Sequence, residues 1–199
     1  MKILKATILF ILLGTIGASV NAQTNISGNI TTNTTWTTAG SPYIIVGSTT
    51  ITNGDTLTIE NGVEVKFDNG TQLTVSGGLV GNGVTFTANT GTSRGAWNRI
   101  FTNFESSWIH LRNSTLQFAT DAIYVGAGEV RLDTVTISDS NRGVTITQNT
   151  NTTINGATIT NNEYPINIAS EGYISYEGSN DFTGNDNDVV YLSHSSNID

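Results

Sequence analysis

Leu116–Ile123 (LQFATDAI), Ile137–Val144 (ISDSNRGV), Ile159–Ile166 (ITNNEYPI) and Phe182–Val189 (FTGNDNDV) carry one pattern, repeated at intervals of 21, 22 and 23 residues. In each copy an apolar residue is followed seven positions later by a second one, and polar turn formers lie between them. A third apolar group completes each period: Val130/Leu132, then Ile154, then Ile174/Tyr176. A unit this short cannot enclose a core alone, so it buries its apolar side chains only by stacking on its neighbours. Three short strands per near-constant period therefore predict an all-β solenoid and exclude a closed globule.

The period extends toward the N-terminus in a more regular form. Tyr43–Val46, Thr49–Ile51, Leu57–Ile59, Val63–Phe67, Leu73–Val75 and Val84–Phe86 alternate apolar and polar residues, as half-buried strands do. Asn53-Gly54-Asp55, Asn61-Gly62 and Asp68-Asn69-Gly70 supply the turns between them. Asn-Gly is also a hairpin signal, but the advance from Ile45 to Val65 to Phe86, 20 and then 21 residues, fits coils better than a meander. The reading is of roughly eight coils of 20–24 residues, each adding ~4.8 Å to a rod ~35–40 Å long. Ile123, Val144, Ile166 and Val189 are expected to stack in one inward column. Strand 189–192 lies close to Asp199 with no capping element after it, and open solenoid ends expose edges and core. The expectation is that residues 23–199 are one domain, and that either the Ser193–Asp199 tail folds over its open end or, the favoured reading, the domain is truncated at its C-terminal end.

Residues 1–22 are read as an address. Met1–Lys5 is short and basic, Ala6–Ala18 is an apolar run too short for a stable membrane span, and Val20-Asn21-Ala22 suits signal peptidase. Gln23 then begins the mature chain, which is secreted or displayed on the cell surface without membrane insertion. Loss of Lys2 and Lys5 leaves six basic residues against sixteen acidic ones, a net charge of −10. That balance excludes a nucleic-acid partner, which needs a basic stripe. The absence of cysteine excludes thiol catalysis and cysteine-ligated metals.

In a coil, residues one period apart sit side by side. Arg112 is so placed against Asp133, and Asp121 against Arg142; surface ion pairs between rungs are the expectation for both. Ser140, Asn162 and Asn185 occupy one place in consecutive turns and predict a stacked ladder that satisfies backbone groups. Thr115, Thr136 and Thr158 form an outward column with no second threonine column expected beside it, too narrow to match a crystal face. His110 falls between inward Ile109 and Leu111, hence outward, and His194 lies in the Ser-rich tail; neither is placed as a base or ligand.

Thr34-Thr35-Trp36, Ser41–Val46, Leu57–Phe67 and Gly95-Ala96-Trp97-Asn98-Arg99-Ile100 resemble segments of secreted bacterial right-handed parallel β-helix repeat proteins of the pectate-lyase-like superfold. The resemblance implies that fold and an extracellular setting, but many such proteins are surface scaffolds, and fold does not carry activity. It also implies that Trp97 and Ile100 fill the coil. The motifs of the related glycosidases (Asn-Thr-Asp, Asp-Asp, Gly-His-Gly, Arg-x-Lys) do not occur here. The least repetitive stretch, Arg94–Trp108, offers Arg94, Trp97, Arg99 and Trp108 as glycan-contacting candidates, since aromatic faces and fixed donors suit sugar rings. Asp181, Asp186 and Asp188 are candidate Ca²⁺ ligands, although their spacing matches no EF-hand loop. No other cofactor is indicated. The expectation is a non-catalytic exported scaffold that binds a polysaccharide or a cell-envelope component. The alternative is a carbohydrate-active enzyme, a polysaccharide lyase or glycoside hydrolase.

Overall fold

The computed structural model describes residues 23–147, 150–169 and 173–193. The 1–22 segment and His194 lie outside them, so the signal-peptide reading finds no structural counterpart here. Three stacks of short parallel strands make up the chain. The first contains residues 43–45 of β3 (Tyr43–Ile51), then β5 (Glu64–Phe67), β8 (Thr85–Ala88), β11 (Thr115–Gln117), β14 (Thr136–Ser138) and β17 (Thr158–Thr160). The second contains residues 49–51 of β3, then β6 (Gln72–Val75), β9 (Trp97–Thr102), β12 (Ala119–Val125), β15 (Arg142–Ile146), β18 (Tyr164–Ala169) and β20 (Val190–Ser193). The third contains β2 (Thr34–Trp36), β4 (Thr56–Ile59), β7 (Gly78–Asn82), β10 (Trp108–Arg112), β13 (Glu129–Asp133), β16 (Asn151–Asn155) and β19 (Tyr173–Glu177). Strand β1 (Thr24–Ile30) lies along β3 across both of the first two stacks. The seven strands of the third stack mark seven turns of a parallel β-solenoid, and β20 begins another. Among the described residues, no helix is long and apolar enough to cross a membrane.

Alternation along each strand turns one side chain inward in every turn, and the register stacks these into columns. One runs Tyr43, Val65, Phe86, Leu116, Ile137, Ile159. Another runs Leu57, Leu79, Ile109, Val130, Thr152, Ile174. The third runs Leu73, Ile100, Ile123, Val144, Ile166 and then Val190. Two sequence expectations shift here. Ile45 stacks on Phe67 and not on Val65, because Tyr43 also turns inward, its ring 4.6 Å from Trp36 and its hydroxyl accepting the Thr37 N–H at 3.0 Å. The column expected to end at Val189 ends at Val190, and Val189 is 58% exposed. The turn before β20 holds one residue more than its counterparts, and Asp188 bends in there to accept the Asn185 N–H at 2.7 Å.

That bond closes the predicted ladder. Ser140 Oγ accepts from Ala119 N–H at 3.0 Å, Asn162 Oδ1 from Ser140 N–H at 2.9 Å, and Asn185 Oδ1 from Asn162 N–H at 3.0 Å. Each asparagine Nδ2 also donates to carbonyls of its own turn and of the turn before, Asn162 to Thr160 and Ile137, Asn185 to Phe182 and Ile159. Ser140 and Asn162 are fully buried, so these bonds satisfy corner groups that water does not reach. Ser114 and Asn180 do the same at the corner between the third and first stacks, which the sequence reading did not single out.

Substitutions in the inward columns should separate by chemistry. Val144→Asp places an unpaired carboxylate among buried apolar side chains and should cost several kcal/mol. Thr102, inward between Val75 and Val125, has a buried hydroxyl with no partner among the described residues. Thr102→Val should therefore stabilise by about 1 kcal/mol. Urea unfolding of the two variants checks both signs.

Candidate functional site

The four predicted glycan-contacting residues do not share a surface. Trp97 opens β9 and is fully buried, stacked 4.1 Å from Phe67 with its Nε1–H donated to the Gln117 carbonyl at 2.7 Å. It is core, and no sugar reaches it in this structure. Arg94 belongs to an excursion, residues 89–96, that runs along the corner between the first and second stacks. It pairs with Asp186 and donates to the Asn161 carbonyl at 2.9 Å. Arg99 lies on the outer side of the second stack and Trp108 on that of the third.

The proposed metal ligands are each engaged by a protein partner. Asp186 is bound to Arg94, whose guanidinium holds that carboxyl below the usual range. Asp181 accepts the N–H and hydroxyl of Thr183 at 2.9 and 2.7 Å, which lowers its pKa too, and Asp188 serves Asn185. Among the described residues no group of three His, Asp or Glu side chains is arranged to hold a metal ion. The density of oxygens in this segment reflects turn and clamp bonding.

The outer side of the second stack is the most constructed surface. One row runs Gln72, Arg99, Asp121, Arg142, Tyr164, and the next Thr74, Phe101, Tyr124, Thr145, Asn167, Tyr191. A register shift against β9 inserts Ala122 between Asp121 and Ile123, the kind of bulge that re-aims a neighbouring side chain. The predicted Asp121–Arg142 pair exists, but it is not a surface pair. Asp121 is 2% exposed and accepts from Arg142 Nε at 2.5 Å, Arg142 Nη2 at 3.0 Å and Thr145 Oγ1 at 2.6 Å. The bonded carboxylate raises the pKa of Arg142. Arg99, one rung earlier, makes no ion pair among the described residues. Its guanidinium lies 4.4 Å from the centre of the Tyr124 ring and 5.4 Å from that of Phe101, and its Nε donates to Gln72 Oε1 at 3.3 Å. Tyr124, Thr145 and Asn167 were missed because alternation marks a position as outward without marking what meets there; only the interval from Asp121 to Arg142 pointed to this row.

On the third stack the cations are engaged. Asp133 accepts from Arg112 Nε at 3.3 Å, Arg131 Nε at 3.1 Å and Asn155 Nδ2 at 2.9 Å, and Arg131 also reaches Glu177 at 2.9 Å. Burial pushes the Asp133 carboxyl up, but the bonds from Asn155 and Arg131 and the charge of Arg112 outweigh it and hold the group below its ordinary value. His110 points outward as expected, 3.3 Å from Glu129. On the first stack, Thr85 extends the outward column of Thr115, Thr136 and Thr158. A second hydroxyl row, not expected, runs beside it through Ser138 and Thr160, but Gln117 interrupts it and Ser138 is tied to Gln117 and Asp139. No regular hydroxyl lattice results.

No protein-family model, curated protein or solved structure matches the chain.

Asp133 supplies a pH prediction. A carboxyl depressed in the folded state contributes stability that is present above the unfolded pKa of about 3.9 and is lost as pH falls through the lower folded value. Asp133→Asn should therefore destabilise by about 1 kcal/mol at neutral pH, and the gap should close below that range. Thermal melts from neutral to acid pH follow it.

Proposed function

We propose that this chain is an exported, non-catalytic scaffold that contacts a glycan, on the cell surface or in the surrounding matrix, through the outer side of its second stack. One observation carries the reading: Arg99 lies over the rings of Tyr124 and Phe101 and has no acidic partner among the described residues, whereas Arg94, Arg112, Arg131 and Arg142 each have one. A guanidinium backed by rings is pre-organised, and its remaining N–H groups fit the carboxylate or paired hydroxyls at a sugar's edge. Tyr124 adds an amphipathic ring beside it, the usual partner for the C–H face of a pyranose. The basic and apolar opening of the sequence, and its resemblance to secreted bacterial β-helix proteins, support the extracellular setting.

Asp121 counts against chemistry at this face. It is the acid nearest in the row, and both of its oxygens are committed to Arg142 and Thr145. A committed, buried carboxylate is a poor general base, and no second acid occupies the row. A polysaccharide lyase is the second reading, favoured by the same unpaired Arg99 standing beside the Tyr124 hydroxyl-bearing ring.

The test is a glycan array probed with the chain from Gln23, followed by affinity measurement on the best ligand. Arg99→Ala should weaken binding by about tenfold. Binding to no glycan, or binding that Arg99→Ala leaves intact, contradicts the second-stack contact. Steady release of unsaturated, ultraviolet-absorbing products, abolished in Arg99→Ala, would establish the lyase instead.

A further inference from the structure

The corner between the second and third stacks changes length from turn to turn. In one turn it is only Ser76-Gly77, pressed so closely onto the turn before that a Cβ at Gly77 would stand 2.2 Å from the Asp55 carbonyl oxygen. The flanking corners are longer, Thr52 to Asp55 on one side and Asn103 to Ser107 on the other, and they meet over the short one. Ser106 Oγ donates to Asn53 Oδ1 at 3.0 Å, and Ser76 Oγ donates to Asn103 Oδ1 at 2.9 Å. One turn further the corner is Gly126-Ala127-Gly128. A Cβ at Gly128 would lie 2.1 Å from the Ser107 carbonyl oxygen, and one at Gly126 2.6 Å from the Phe101 ring. Long, short and small corners in succession leave a depression on each side of the Ser106–Asn53 bridge, of about 540 and 180 Å³.

Each depression has one aromatic wall. Phe104 borders the larger and is 50% exposed, while its backbone is fixed by the buried Ser107, whose Oγ donates to the Phe104 carbonyl at 2.5 Å. Trp108 borders the smaller. Its six-membered ring lies over Gly78, where a Cβ would come within 2.4 Å, so only glycine allows the indole this position. The Trp108 Nε1–H and the Nδ2 groups of Asn53 and Asn103 have no partner among the described residues. The charged side chains lining the two depressions are Asp55 and Glu105; no Lys or Arg lines either.

We infer that this corner is a second glycan site, with two subsites, for an uncharged oligosaccharide. Two aromatic walls separated by a hydrogen-bonded bridge suit consecutive pyranose rings, whose C–H faces stack while their hydroxyls meet amide donors and carboxylate acceptors. Asp55 and Glu105 disfavour anionic sugars, so the corner excludes the carboxylate-bearing sugars that Arg99 can hold. The inference rests on the reading of the chain as a glycan-contacting protein, but on different residues at a different face.

Fluorescence is the direct readout. The chain has three tryptophans, and Trp36 and Trp97 are buried at 3% and 0% exposure, so a ligand-dependent change in emission reports Trp108. The full chain from Gln23 is titrated with cellohexaose, mannohexaose, xylohexaose and N-acetylchitohexaose, and with hexagalacturonate as the acidic arm. At least one uncharged hexasaccharide should shift the emission, with affinity unchanged between about 50 and 500 mM salt. Phe104→Ala and Ala127→Arg, which removes a wall and fills a subsite respectively, should each weaken binding by about tenfold in protein that melts like the parent. Arg99→Ala should bind these sugars as the parent does, which separates failure here from failure at the second stack. Binding of none of the four, or binding insensitive to both corner substitutions, overturns the inference, as does loss of neutral-sugar binding in Arg99→Ala.

Discussion

In a parallel coil, every strand finds its hydrogen-bond partners one period away and none within its own turn. The pairs Thr115 with Thr136 and Thr136 with Thr158 are the simplest case. A single turn is therefore a set of unsatisfied backbone groups, and it becomes stable only when its neighbours are in place. The corners are the hard positions, because there the ladder of strand bonds is interrupted while the backbone remains buried. Ser140, Asn162 and Asn185 solve this with side chains that reproduce the missing donors and acceptors from one turn to the next, and Asp188 ends the series. Amides so enclosed are costly to remove, since the partner left behind stays buried and unpaired.

Once the inward columns and corner ladders fix the backbone, the outward positions and corner lengths vary without disturbing the coil. That freedom produces both candidate surfaces. On the second stack, one inserted residue in β12 sets Asp121 beneath Arg142 and leaves Arg99 facing the rings of Tyr124 and Phe101. At the adjoining corner, a two-residue turn between longer ones opens the depressions walled by Phe104 and Trp108. The scaffold supplies rigidity, and the irregularities supply the sites.

The repeat was legible because apolar columns impose a period, and a period survives in a single sequence. The pairings of Arg112 with Asp133 and Asp121 with Arg142, and the Ser140–Asn162–Asn185 ladder, follow from counting residues. Counting gives adjacency and not depth, so the burial of Asp121 was invisible. It also fails wherever a turn gains a residue, which is why counting ends the last column at Val189 while the structure ends it at Val190. The candidate sites were harder still. Arg94 and Asp186, considered for separate roles, bind each other across 92 positions because an excursion carries the arginine along the corner, and nothing local marks that contact. Tyr124 looks like any strand residue until Arg99 is seen lying on it. Trp97, although it lies in an irregular stretch, turns inward onto Phe67, as the resemblance to β-helix proteins implied.

If side-chain ladders hold the later turns together, native-state hydrogen exchange on Asn162→Ala will show it. Exchange should accelerate for Ser140 N–H and for the strands of the last turns, β14 to β18, while β4 to β6 keep their protection. Equal acceleration along the whole chain, or none at Ser140, would contradict it and would leave strand pairing alone as the source of stability.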